Sequence, residues 1–177
     1  MISFGITSKR IKKYSHITSV DEEELGEYAV LKISDIVNGD IQLDKLSKYN
    51  IQNNAKIDNN RILNNEVLLS IRGMDRKMTI FQSYREDVSM SQNFVGIRCN
   101  NSLIPALLKL YLESLITQIY FANHMAGSTI PNLPIKDVNN LSVSVSSIEE
   151  QREIVTKYEE EVINILRKIE ELERRQK

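Results

Sequence analysis

The sequence has one cysteine, Cys99, so no internal disulfide can form and the reducing cytoplasm is the expected setting. No apolar run approaches the roughly 18 residues that a membrane span needs. The opening Met1-Ile2-Ser3-Phe4-Gly5 has no basic segment leading into an apolar block, so no secretion signal is expected. The two histidines, His16 and His124, lie far apart, and with a single cysteine no metal site is expected. Gly73, Gly96 and Gly127 stand alone, which argues against a glycine-rich phosphate loop. No serine sits in a nucleophile elbow, and no Asn/Asp-Pro-Pro-aromatic tetrapeptide of the amino-methyltransferase kind occurs. Carboxylates are plentiful, but none stands out as a catalytic pair. Neither catalysis by this chain alone nor a cofactor is therefore expected. A net charge of −1 also means that any nucleic-acid contact must come from a local patch.

What is present is an ordinary globular composition, 41% apolar and 27% charged over 177 residues. That suits one compact domain with an appendage, or two very small domains. A basic cluster, Lys9, Arg10, Lys12 and Lys13, precedes an acidic block, Asp21 to Glu24 with Glu27; each reads equally as a solvated lead-in. Tyr28 to Ile33 is rich in strand formers, and Asn38-Gly39-Asp40 is a strong turn signal. Residues 44–65 are Asn-rich and read as loop or short irregular elements. Glu66 to Ile71 reads as a largely buried strand, with Met78 to Gln82 returning beside it and Gly73 at the tip or bulge between them. Phe94 to Arg98 is a further strand. From Leu103 the period becomes helical: Leu107, Leu108, Leu110, Tyr111, Leu115, Ile116 and Ile119 recur, with Pro105 suited to the first turn. Apolar residues around much of its circumference predict a buried helix. Leu141, Val143 and Val145 alternate with serines, as in a strand with one wet face.

Ser147-Ile148-Glu149-Glu150 fits a capping box, and the helix it starts meets no Gly or Pro before the end of the sequence. Counting in sevens places Ile148, Val155, Val162, Ile169 and Gln176 at one seam position and Gln151, Tyr158, Ile165 and Leu172 at the other. Ile163 and Leu166 widen the stripe. The helix is expected to project and to pair with another helix, in a dimer or with another protein. The alternative is a long amphipathic helix folded back on its own domain. Soluble monomers avoid exposing a stripe of this size.

Two stretches could meet a ligand. Arg72 to Lys77 places Arg72, Arg76 and Lys77 with Asp75 at a hairpin tip, and Arg85 follows soon after. Such cations can neutralise phosphates, an Arg fork can read guanine, and Gly73 would let a backbone approach closely. The same stretch also reads as a polar turn. Ser89 to Asn93, with Gln92 and Asn93, offers short polar groups for base edges, and is equally an ordinary loop composition.

Taken in order, several of these stretches resemble one target-recognition domain of a type I restriction-modification specificity subunit. They are Leu31-Lys32-Ile33-Ser34-Asp35-Ile36 with Asn38-Gly39-Asp40-Ile41, then Asn65 to Ser70 through Gly73, then Ser91-Gln92-Asn93-Phe94. Asn65-Glu66 replaces the family's usual Gly-Asp. The most specific match is the junction: Gly127, Ile130-Pro131-Asn132-Leu133, Ile135, Leu141-Ser142-Val143, then Ile148-Glu149-Glu150-Gln151-Arg152-Glu153-Ile154-Val155. Val145-Ser146-Ser147 stands where prolines are common in the family. The resemblance covers nearly the whole chain, weakly over the first 25 residues.

The resemblance implies a non-catalytic, DNA-reading subunit. Family members usually carry two recognition domains, each followed by a helix; the helices pair antiparallel and dock methyltransferase subunits. One domain and one helix look like half of that arrangement, either a natural half-subunit that homodimerises or an excised half. The expected fold is α+β: a small, mostly antiparallel sheet with a buried helix, followed by a long C-terminal coiled-coil helix. The expected division is a recognition domain over 1–146 and a pairing and docking helix over 147–177. Double-stranded DNA contacts are expected at Arg72, Gly73, Arg76, Lys77, Arg85, Gln92 and Asn93, and more weakly at Lys9, Arg10, Lys12 and Lys13. Dimer contacts are expected at Ile148, Val155, Tyr158, Val162, Ile165, Ile169 and Leu172. Methyltransferase and restriction subunits are the further expected partners. The rival readings are a coiled-coil adaptor that binds protein rather than DNA, and an enzyme with an unrecognised carboxylate site.

Overall fold

The computed structural model describes residues 3–5, 26–50, 60–127 and 129–176. In chain order these form β1 (Ser3–Gly5), β2 (Tyr28–Leu31), β3 (Ile36–Val37), β4 (Asp40–Ile41), β5 (Ser47–Tyr49), β6 (Val67–Ser70), β7 (Met78–Ile80), β8 (Val88–Met90) and β9 (Phe94–Ile97). Helices α1 (Pro105–Glu113), α2 (Leu115–His124) and α3 (Ile135–Asn139) follow, then β10 (Ser142–Ser144) and the long α4 (Ile148–Arg175).

Strand β6 lies at the centre. It pairs antiparallel with β7 on one side and β9 on the other, with Leu68 opposite Thr79 and Gly96. All four of its residues are buried because both faces of this sheet are covered. Val67 and Leu69 point one way, with Val95 and Ile97, onto Leu108 and Leu112 of α1 and Phe121 of α2. Leu68 and Phe94 point the other way, onto Ala29, Leu31, Val88 and Met90 of a second sheet. The period-2 alternation of a strand thus feeds two cores, each fully buried aliphatic side chain contributing roughly 1.5–3 kcal/mol.

The second sheet has the order β5-β2-β8. β2 is antiparallel to β5 but parallel to β8, with Ala29 opposite Val88. The sheets are therefore mixed, with most pairs antiparallel, and the fold is α+β as expected. Ser89 and Met90, which read as loop in the sequence, are the buried end of this parallel strand. The Asn38-Gly39 turn closes the β3–β4 hairpin with both residues at positive φ, 53° and 87°, the signature of a two-residue primed turn. β1 pairs antiparallel with β10, joining the two ends of the domain's chain.

The helix expected through Ile119 is interrupted. Ser114 takes an extended conformation (φ −60°, ψ 147°) and caps a second helix, its hydroxyl accepting from the Thr117 N–H at 3.4 Å. Leu108 and Leu112 before the break are buried, whereas Leu115 and Ile116 just after it are 74% and 78% exposed. The break turns the apolar run that made the helix look buried all round out toward solvent. Among the described residues no helix is long and apolar enough to cross a membrane.

Candidate nucleic-acid interface

Four connections meet at one end of the central sheet. The β6–β7 connection, residues 71–77, lies against the β8–β9 turn through the Ile71 N–H, which donates to the Asn93 carbonyl at 2.8 Å. On its other side it lies against residues 126–133: the Gly73 N–H donates to the Pro131 carbonyl at 3.0 Å, and the Leu133 N–H donates to the Ile71 carbonyl at 2.8 Å. Arg72 and Asn132 form an isolated bridge. The β3–β4 turn completes the group, because the Lys77 ammonium donates to the Ile36 carbonyl at 2.6 Å. A groove of about 420 Å³ runs between Asn38-Gly39, Arg76 to Met78 and Glu113.

Arg72, Gly73, Arg76, Lys77, Gln92 and Asn93 are thus brought together, although Gln92 and Asn93 are distant from the others in sequence. Their exposure differs. Arg72 is exposed, and Gln92 and Asn93 are half-buried. Arg76 is half-buried and turned inward. Its guanidinium lies 5.6 Å from the Phe121 ring centroid, with Nε donating to Gln118 Oε1 and Nη1 to Met125 Sδ, both at 3.3 Å. Burial lowers its pKa from the ordinary arginine value. The Lys77 N–H donates to the buried Ser70 hydroxyl at 2.8 Å, tying the end of the loop to β6. Gly73 sits at φ 88° with open space where a side chain would be, so backbone conformation rather than a close approach requires glycine.

Arg85 lies elsewhere, at the opposite end of β8. It holds Asp87 in a two-point ion pair, Nε to Oδ1 at 2.9 Å and Nη2 to Oδ2 at 2.6 Å, and Nη1 donates to the Leu43 carbonyl at 3.1 Å. The hydrogen bond from Arg85 is the main cause holding the Asp87 carboxyl below its ordinary pKa, and it raises that of Arg85 in turn. Lys9, Arg10, Lys12 and Lys13 lie outside the described residues. Among the described residues, no cluster of three or more His, Cys, Asp or Glu side chains could hold a metal ion.

Two residues have roles that the sequence did not assign to them. Glu66 is buried, accepting from the Leu63 N–H at 2.9 Å and pairing with Arg98 at 2.8 Å, and so fixes the entry into β6. Asn65 before it has φ 66°, a conformation glycine adopts freely and asparagine tolerates. The Asn-Glu replacement of Gly-Asp therefore preserves the backbone. Gln151 is fully buried at the root of α4. Its amide nitrogen donates to the carbonyls of Ser102 at 2.7 Å and Ser146 at 2.9 Å, and its oxygen accepts from the Ile104 N–H at 3.0 Å.

That root divides α4. The Ser147 and Glu150 capping box is present as expected. Val155, one of the expected dimer contacts, is buried against its own domain, and Ile148 is half-buried. Beyond Val155 no described residue is buried: Val162 is half-buried, while Tyr158, Ile165, Ile169 and Leu172 are each about half exposed, with Ile163 and Leu166 beside them. The helix has 28 residues, about 42 Å at 1.5 Å per residue.

The model of the type I restriction modification DNA specificity domain matches residues 5–174. The type I restriction enzyme EcoBI specificity subunit of Escherichia coli is 25% identical over 134 residues, covering 74% of this chain and 28% of that protein. A solved structure described for the complex assembly and conformational transition of the type I R-M system aligns with a TM-score of 0.63 at 16% identity, over 88% of this chain and 37% of that one. The HsdS subunit from Thermoanaerobacter tengcongensis aligns with a TM-score of 0.60 at 16% identity, over 84% of this chain and 34% of its own. At these identities the solved structures show likeness of fold. The chain spans between 28% and 37% of the length of these relatives. Since the family match runs over nearly the whole sequence, the chain belongs to the type I restriction modification DNA specificity domain family.

Proposed function

We propose that the chain reads duplex DNA sequence, one half-site per copy, as a non-catalytic specificity component of a cytoplasmic type I restriction-modification complex. Residues 1–146 are the reader, and residues 147–177 pair with a second copy and dock methyltransferase and restriction subunits. Arg72, Gln92 and Asn93 contact the duplex, while Gly73, Arg76 and Lys77 hold the loop that presents them.

The observation that carries this reading is the division of α4: its root is locked to the reader by Gln151 and Val155, and its remaining apolar stripe has no cover within the described residues. Charge at the flanks of the stripe favours a second copy in antiparallel orientation. Setting Val162 against the partner's Ile165 also sets Tyr158 against the partner's Ile169. In that register Glu161 faces the partner's Lys168 and Arg152 faces the partner's Glu173, and each pair occurs twice by symmetry. Sliding by one heptad in either direction opposes like charges, Lys168 with its own copy or Glu161 with its own copy. Antiparallel helices place the two readers at opposite ends, so the DNA site is an inverted repeat with a gap set by helix length.

Sedimentation equilibrium of the full chain, together with salt-titrated duplex binding, tests the reading. A dimer dissociated by Ile165→Lys, and duplex affinity that falls with salt, are expected. A strict monomer without salt-dependent duplex affinity contradicts it.

A further inference from the structure

Two large apolar side chains stand out of the loop cluster: Met74, 75% exposed, and Ile130, 65% exposed. They flank a single backbone contact, since Met74 follows Gly73 and Ile130 precedes Pro131, and the Gly73 N–H donates to the Pro131 carbonyl at 3.0 Å. Further main-chain hydrogen bonds close one loop and tie it to the other. Ala126 and Asn132 exchange a pair at 2.9 and 2.8 Å, and Leu133 bonds Ile71 at 2.8 Å. The two tips are therefore held out together rather than folding onto the core. Arg72 lies beside them, in a loop with three cations and one carboxylate. By contrast, the exposed Tyr84 lies on the connection to β8, where the neighbouring Arg85 is held by Asp87 and Glu86 is paired with Arg61.

A protein-binding patch is a broad apolar area, whereas this is a two-residue tip with the exposed Arg72 beside it, Arg76 and Lys77 being turned to their own domain. In the major groove of duplex DNA the one apolar feature at a base edge is the thymine 5-methyl group, and it lies within reach of phosphates that arginine can contact. We propose that Met74 and Ile130 form a two-point apolar tip that reads thymine methyl groups in the major groove of the half-site. This rests on the DNA-reading function proposed above and adds the base feature that the loop selects.

The test is selection from a random duplex pool with the unaltered full chain, followed by replacement of each selected thymine by uracil, which removes only the methyl group. Thymine is expected at one or two positions per half-site. Uracil there is expected to lower affinity about fourfold per methyl. Met74→Ser/Ile130→Ser is expected to lose both the thymine preference and the response to uracil, while Met74→Leu/Ile130→Leu retains them. A selected site that binds equally well with uracil overturns this proposal alone, and that result needs no variant to fold. A serine variant that keeps duplex selection but no longer co-purifies with the methyltransferase subunit also overturns it, in favour of a protein surface. Failure of the unaltered chain to enrich any duplex overturns the DNA-reading function, and this proposal with it.

Discussion

Gln151 on α4 and Ile104 at the start of α1 are joined by a 3.0 Å hydrogen bond from the Ile104 N–H to the Gln151 amide oxygen. With its two bonds from the amide nitrogen to Ser102 and Ser146 carbonyls, this fully buried side chain satisfies three backbone groups where the long helix leaves the domain. The heptad count placed Gln151 on the seam, but the residue serves its own domain. Gln151→Ala leaves those groups without partners and is expected to cost about 2–3 kcal/mol. Gln151→Glu keeps the acceptor but cannot donate to the carbonyls, and is expected to cost at least as much. Urea unfolding midpoints measure both, and a loss within about 0.5 kcal/mol for both would show that the helix root is held by other contacts.

Asn65, at φ 66°, gives a backbone prediction. Asn65→Gly is expected to be nearly neutral, because glycine adopts this conformation without strain. Asn65→Val is expected to destabilise by about 1–2 kcal/mol, since a β-branched side chain is a steric outlier there. Equal stability of the two variants would contradict the assignment of strain to this position.

The Arg85–Asp87 pair carries a pH signature. Hydrogen bonding to Arg85 depresses the folded-state pKa of Asp87. The stabilisation is therefore fully present above the unfolded aspartate value of about 3.9 and is lost as pH falls through the lower folded value. Both side chains are more than a third exposed, at 35% and 37%, so solvent screening keeps the effect below about 1 kcal/mol. Asp87→Asn is expected to reduce stability slightly at pH 7 and to flatten its acid dependence. Unfolding curves at pH 7 and pH 3 that shift in parallel for both proteins would contradict this.

The proposed antiparallel register makes a charge-swap prediction. Glu161→Lys places like charges against the partner's Lys168 at two symmetric sites, and is expected to weaken dimerisation by about 1–2 kcal/mol. Adding Lys168→Glu in the same chain restores both pairs and is expected to return the affinity. A spin label at Leu172→Cys, in a Cys99→Ser background, faces the region of the partner's Val155. Two such labels lie about 25 Å apart along the helices, and label separation near 10 Å would mean parallel pairing instead.

The elements written in local chemistry were legible. The Asn38-Gly39 turn, the apolar run of β6, the alternation of β10 and the Ser147–Glu150 capping box each rest on neighbouring residues. The parallel pairing of β2 with β8 was not legible, because Val88-Ser89-Met90 has no strand signal of its own and is ordered by Ala29 and Leu31 across a long sequence separation. The break at Ser114 was missed because Leu115, Ile116 and Ile119 continue a helical period that counts hydrophobicity but ignores the capping hydroxyl. The candidate interface divided the same way. Its cations could be picked out by type. That Arg76 folds onto Phe121 while Arg72 stays exposed depends on α2, which lies more than thirty residues further along the chain.

The proposed arrangement is a pair of identical readers held apart by antiparallel helices. Methylation sequencing of the genome of a host expressing this chain with a type I methyltransferase subunit tests it most directly. One modified motif made of two inverted half-sites separated by a fixed gap is expected. Absence of chain-dependent methylation, or a single motif without inverted symmetry, would contradict it.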